Sequence, residues 1–103
     1  MPRIARVDAN QKAVVAALRA AGATVQHLHS VGQGCPDILV GYRGRNYLLE
    51  IKDGDKPPNK RRLTRDEGRW HRRWRGQVAV VESVAEALAA IVDRGPRMTS
   101  GGQ

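Results

Sequence analysis

Asp37, Glu50 and Lys52 are the side chains of this sequence whose types and spacing can do chemistry together. Two β-rich runs, Asp37-Ile38-Leu39-Val40-Gly41-Tyr42 and Arg45-Asn46-Tyr47-Leu48-Leu49-Glu50-Ile51-Lys52, bracket Arg43-Gly44, which reads as a short hairpin connection. A two-residue loop sets Asp37 opposite Glu50, and a four-residue loop sets it opposite Lys52. Both registers keep the period-2 parity, so all three side chains share one face. Two carboxylates facing across a ladder, with Cβ atoms roughly 4.5–5.5 Å apart, repel each other. Lys52 is a partial counter-charge. A divalent cation is the fuller one, because one or two hard carboxylate ligands are what Mg²⁺ prefers.

The elements that position these groups follow from pattern. Asp8 is the expected N-cap and Gly22 the C′ residue of a helix over 9–21, with Gln11, Val14, Val15 and Leu18 on its inner face. Residues 24–29 read as a short strand, and Val31-Gly32-Gln33-Gly34-Cys35 as a glycine-punctuated loop leading to Pro36-Asp37. The hairpin strands carry apolar residues at both parities, so helices are expected on both faces of the sheet. Asp53 to Lys60 is a loop, since tandem prolines cannot continue a strand. A second helix is expected from Thr64 to Arg75, with Leu63, Glu67, Trp70 and Trp74 as an inward stripe. Gln77 to Val81 is a last strand, and Ser83 with Glu86 forms a capping box for a helix ending near Gly95. The resulting order, α-β-β-β-α-β-α, is an α/β domain with a mixed sheet.

The 103 residues suffice for one domain and one core. It is expected over 1–94, with a disordered tail at 95–103. The net charge is +8, and residues 52–75 hold ten lysines and arginines against four acids. Such a patch fits a polyanion partner, most plausibly nucleic acid. A single cysteine, Cys35, excludes an internal disulfide framework and fits a reducing compartment; it reads as space-filling rather than as a nucleophile. With no apolar run near the ~20 residues of a membrane span and no signal-peptide core, the expectation is a soluble, cytoplasmic protein that does not bind membrane.

Taken together, Pro36-Asp37 followed by Glu50-Ile51-Lys52 in this element order resembles the PD-(D/E)XK phosphodiesterase superfamily, with its restriction-endonuclease-like α-β-β-β-α-β core. Within it the chain is most similar to the virus-type replication-repair nuclease (VRR-NUC) domain, itself similar to archaeal Holliday-junction resolvases. The likeness covers about residues 8 to 91. It is carried by Leu18-Arg19-Ala20-Ala21-Gly22, Gly34-Cys35-Pro36-Asp37, Leu49-Glu50-Ile51-Lys52, Leu63-Thr64 and Gly76-Gln77-Val78-Ala79-Val80-Val81. The resemblance implies that Asp37, Glu50 and the Ile51 carbonyl are ligands to Mg²⁺ or Mn²⁺ and that Lys52 works beside the metal. It also implies hydrolysis of DNA to 5′-phosphate and 3′-hydroxyl ends, on structured or branched substrates, by a phage- or prophage-type protein; one domain of this size has little surface with which to embrace a junction, so a C₂ homodimer is the expected assembly.

One position departs from the family pattern. Where such families place an acid on the first helix, this chain has Gln11. Its amide can hold a metal-bound water, or with Asp8 it can form a purely structural Asp-x-x-Gln capping box. Glu67 shares the inward stripe, so it is expected either to join Gln11 in second-layer or metal duty or to pair with a nearby Arg. Lys60, Arg61, Arg62, Arg65, Arg69, Arg72 and Arg73 are expected to grip phosphates without reading sequence. His29 is a further candidate for phosphate binding or base chemistry. Asp53 and Asp55 read as a solvated turn, and Trp70 and Trp74 as core residues. The rival reading is a non-catalytic nucleic-acid-binding module with a nuclease-like fold, and RNA stands as an alternative substrate.

Overall fold

The computed structural model describes residues 9–92. The expected Asp8 cap and the 95–103 tail lie outside the described residues. The elements are α1 (Ala9–Ala20), β1 (Thr24–His27), β2 (Ile38–Tyr42), β3 (Arg45–Ile51), a 3₁₀ turn (Pro58–Lys60), α2 (Arg65–Arg73), β4 (Ala79–Val81) and α3 (Val84–Ala90).

Apolar spacing explains α1: Gln11, Val14, Val15 and Leu18 stand at i, i+3, i+4 and i+7 and are the buried residues of that helix. Its end is a Schellman motif. The Ala23 N–H donates to the Leu18 carbonyl and the Gly22 N–H to that of Arg19, both at 3.0 Å, and Gly22 takes φ +100°, which glycine adopts without steric cost.

The sheet has the order β1-β2-β3-β4. The first three strands are antiparallel and β4 runs parallel to β3. Arg43 and Gly44 both have positive φ, 51° and 79°, and Tyr42 pairs with Arg45, so the hairpin loop has two residues. The register therefore runs through Ile38↔Leu49 and places Asp37 opposite Glu50.

Period-2 parity divides the sheet. Ile38, Val40, Leu49 and Ile51 join Val14, Val15, Leu18, Val81, Ala87 and Ile91 in one core beneath α1 and α3. Burying each large aliphatic side chain is worth roughly 1.5–3 kcal/mol. Asp37, Glu50 and Lys52 point to the opposite face, where α2 brings Glu67 against Lys52. Helices thus cover both faces.

Three expectations about the helices need correction. Helix α3 stops at Ala90, capped by Ile91, short of Gly95. Its N-cap is Ser83 as expected, but the Glu86 carboxylate accepts from Glu82 N–H rather than closing the box on Ser83. Trp70 and Trp74 are not core: α2 contains no buried residue, and Trp74 is 44% exposed. Helix α2 is short and strongly basic and buries no residue of its own.

Candidate active site

The end of the hairpin gathers the acidic groups. Asp37 Oδ2 accepts from the Ile51 N–H at 2.7 Å, which ties the start of β2 to the end of β3. Glu50, on the last turn of the pleat before Ile51, is 2% exposed and its Oε1 has no hydrogen-bond partner. Burial, then the charge of Asp37 and that of Glu67, push the Glu50 carboxyl up to about 9. Burial also raises Asp37, against the Ile51 hydrogen bond. Two desolvated carboxylates in contact cannot both ionise without added positive charge.

Lys52 does not supply that charge in full. Its Nζ lies 3.7 Å from Glu50 Oε2 but 2.8 Å from Glu67 Oε1. Burial alone would lower the Lys52 ammonium; the hydrogen bond and charge of Glu67, with Glu50 and Asp37 behind it, hold it above its ordinary value. Glu67 also opposes its own burial: the bonds from Lys52 and from the Thr64 N–H keep its carboxyl low.

Local sequence explains why Glu67 is there. Thr64 is the N-cap of α2; its Oγ1 accepts from the Glu67 N–H at 3.2 Å, and Glu67 Oε1 accepts from the Thr64 N–H at 2.8 Å. This is a capping box, Thr64-x-x-Glu67, and the same carboxylate that closes it holds Lys52. The partner of Glu67 is thus a lysine and not the arginine considered from sequence.

The first helix approaches from the other side. Asn10 Nδ2 donates to the Lys52 carbonyl at 2.7 Å, fixing the N-terminal turn of α1 at the end of β3. Gln11, the next residue, is 8% exposed on the buried face of α1.

The loop before Asp37 carries three consecutive left-handed residues, Gly32, Gln33 and Gly34, with φ of 76°, 58° and 85°. A Cβ at Gly34 would overlap the Asp66 backbone carbonyl, so the loop is seated directly on the first turn of α2. Cys35 follows, and its thiol is raised by burial, then by Glu50 and Asp37. A thiol held protonated by neighbouring acids is a poor nucleophile.

The oxygen donors fit a hard divalent cation. The unpartnered Glu50 Oε1 is buried, and the half-buried Asp37 carboxylate beside it is also raised by desolvation. Among the described residues no group of three or more His, Cys, Asp or Glu side chains converges to hold a metal.

The expected phosphate grips divide. Lys60, Arg62, Arg65, Arg69, Arg72 and Arg73 are exposed. Arg61 is not free: its Nη1 lies 3.0 Å from Glu82 Oε1 and its Nε donates to the Lys56 carbonyl. His29 is exposed and packs edge-on against His27, ring centroids 5.9 Å apart; it follows Leu28, whose N–H donates to the Asp37 carbonyl. Asp53 closes an Asx turn on the Asp55 N–H, as the solvated-turn reading expects.

Sequence reasoning missed Asn10, Thr64 and His71. The Thr64-x-x-Glu67 spacing was a usable signal. Asn10 carried none, and His71, whose buried Nε2 lacks a partner and whose imidazole is lowered by burial, has no motif around it.

Among the described residues, no helix is long and apolar enough to cross a membrane. No family model and no curated protein matches the chain. A solved structure described as a "VRR_NUC domain" is similar to it, with a TM-score of 0.58 and 30% identity over 79% of this chain and 88% of that one.

Proposed function

The chain belongs to the VRR-NUC family, with the PD-(D/E)XK nuclease fold, and from that premise we propose that it is a metal-dependent endonuclease that hydrolyses DNA phosphodiester bonds, preferentially in structured or branched DNA. The observation that carries this reading is the under-neutralised pair of a buried Glu50 and a half-buried Asp37, beside a lysine committed to Glu67.

Asp37, Glu50 and the Ile51 carbonyl would hold Mg²⁺ or Mn²⁺. When bound, the cation neutralises both carboxylates, activates water for attack and offsets charge building on the phosphate. Lys52, charged at neutral pH and directed by Glu67, orients the attacking water or stabilises the developing oxyanion. A water oxygen bonds to phosphorus and gives up a proton to solvent, the bond to the 3′ oxygen breaks, and that oxygen takes a proton from solvent. Gln11, beside the Asn10 anchor, contributes an uncharged amide in second-layer support. Glu67 acts through Lys52 as a positioning residue. Lys60, Arg62, Arg65, Arg69, Arg72 and Arg73 neutralise backbone phosphates, with His29 at the entrance. Residues 1–94 form the single domain, and a C₂ homodimer would present two such sites to a branched substrate.

The test is cleavage of supercoiled, linear, flap and four-way-junction DNA in Mg²⁺, Mn²⁺ or chelator, comparing the natural protein with Asp37→Ala. Metal-dependent cutting that the substitution abolishes is the expected result. Tight DNA binding without cutting in any metal would instead favour the non-catalytic module, for which the uncharged Gln11 is the motive; RNA of the same shapes serves as the substrate control.

A further inference from the structure

We propose that Trp70 and Trp74, with Arg69, Arg73 and Gln33, form a shelf that takes an unpaired nucleobase of the DNA held at the Asp37–Glu50 centre. The inference deepens the nuclease reading and rests on it for the identity of the polymer.

The two indoles are stacked, ring centroids 4.6 Å apart and planes 19° from parallel. They border a cavity of about 340 Å³ lined by those five residues. A large exposed aromatic surface is the informative kind of exposure, and here it is fixed rather than loose. Trp74 Nε1 donates to the Gln77 carbonyl at 3.1 Å, and the ring occupies space that only glycine at position 76 leaves open, since a Cβ there would stand 2.9 Å from Nε1.

The chemistry of the lining selects the occupant. Indole faces stack on any base, and arginine guanidiniums both stack on bases and pair with phosphates. The amide of Gln33, held at the rim by its left-handed backbone, can donate to and accept from a base edge. A second copy of this chain is disfavoured there, because it would set Arg69 and Arg73 against their own copies.

Position then names the substrate class. Trp70 follows Glu67 by three residues on α2, about 5 Å along its axis, and Trp74 is the C-cap of the same helix, so the shelf is carried by the element that holds Lys52 through Glu67. A base inside a duplex hides its face in the stack, so the shelf serves DNA that has unpaired nucleotides beside the cut.

The chain has two tryptophans, so all indole emission reports on this shelf. The experiment titrates full-length Asp37→Ala protein in Mg²⁺ with a blunt duplex and with the same duplex bearing a three-thymidine flap. Flap DNA is expected to quench emission and the blunt duplex to leave it unchanged. Adding Trp74→Ala should weaken flap binding about 5- to 150-fold and spare duplex binding, while Trp74→Phe restores most of the loss. Equal quenching by both DNAs, an equal loss for both in Trp74→Ala, or a change of oligomeric state in that variant by ultracentrifugation would overturn the shelf. Cutting is read separately with Asp37 intact. Failure to cut, with selective quenching kept, would sink the nuclease and leave the shelf; cutting with no flap dependence on Trp74 would sink the shelf and leave the nuclease.

Discussion

Lys52 Nζ lies 2.8 Å from Glu67 and 3.7 Å from Glu50, so the lysine of the Glu-x-Lys motif is anchored by a helix-capping carboxylate and not by the acid two residues before it. One carboxylate thereby links the stability of α2 to the placement of a reactive group.

Glu67→Gln keeps a side chain able to close the capping box and removes its charge, whereas Glu67→Ala removes both. Denaturant unfolding should show the alanine variant less stable by about 0.5–2 kcal/mol and the glutamine variant close to the natural protein. Both should cut DNA about tenfold or more slowly, within the range of a lost acid–base or orienting group, at an unchanged half-saturating Mg²⁺ concentration. A large rise in that concentration for Glu67→Gln would make Glu67 a ligand.

Glu50 imposes a pH-dependent cost on the metal-free fold. Its carboxyl stands at about 9 in the folded protein against an ordinary 4.5, so the folded state favours the protonated form. That contribution is fully present below 4.5 and is lost as pH rises toward 9. In chelator, Glu50→Gln should therefore melt progressively higher than the natural protein as pH rises through this window, by about 4–8 °C for each kcal/mol regained. Divalent cation should raise the melting temperature of the natural protein and not of the variant. Parallel melting curves across the window would show that Glu50 is not desolvated.

Gly34→Ala tests the seating of the loop that delivers Asp37. Left-handed backbone costs a non-glycine residue roughly 1–2 kcal/mol, and the added Cβ meets the backbone carbonyl of Asp66. Equilibrium unfolding should show at least that loss. A neutral effect would mean that the loop does not rest on α2.

The arginines should separate by salt dependence. Arg62→Ala or Arg65→Ala is expected to make the log–log salt slope of duplex binding about 0.9 less steep, with no change in sequence preference. Arg61→Ala, which breaks a pair with Glu82, should leave the slope nearly intact and lower stability by up to about 1 kcal/mol. A reversed pattern would relocate the DNA-facing surface.

Short-range signals carried most of the fold. Arg43-Gly44 marked the turn, and both loop lengths it allowed kept Asp37, Glu50 and Lys52 on one face; the two-residue loop observed sets Asp37 opposite Glu50. Gly22 likewise marked the end of α1. Facts that depend on what covers a surface were not legible: the apolar spacing of Trp70 and Trp74 is the same whether that face of the helix is buried or left half-open. The commitment of Lys52 to Glu67 also escaped, because it joins residues from two elements whose approach is set by the Gly34–Asp66 contact. Arg61 shows the same limit, since nothing in a run of basic residues tells which of them has an acid waiting 21 positions along.

The central claim is that Asp37 and Glu50 hold the cation on which cutting depends. Anomalous diffraction from crystals grown with Mn²⁺ tests it most directly. The account predicts a single strong peak at the Asp37 and Glu50 carboxylates, absent in Asp37→Ala. A peak elsewhere, or none while both carboxylates keep their places, would contradict it.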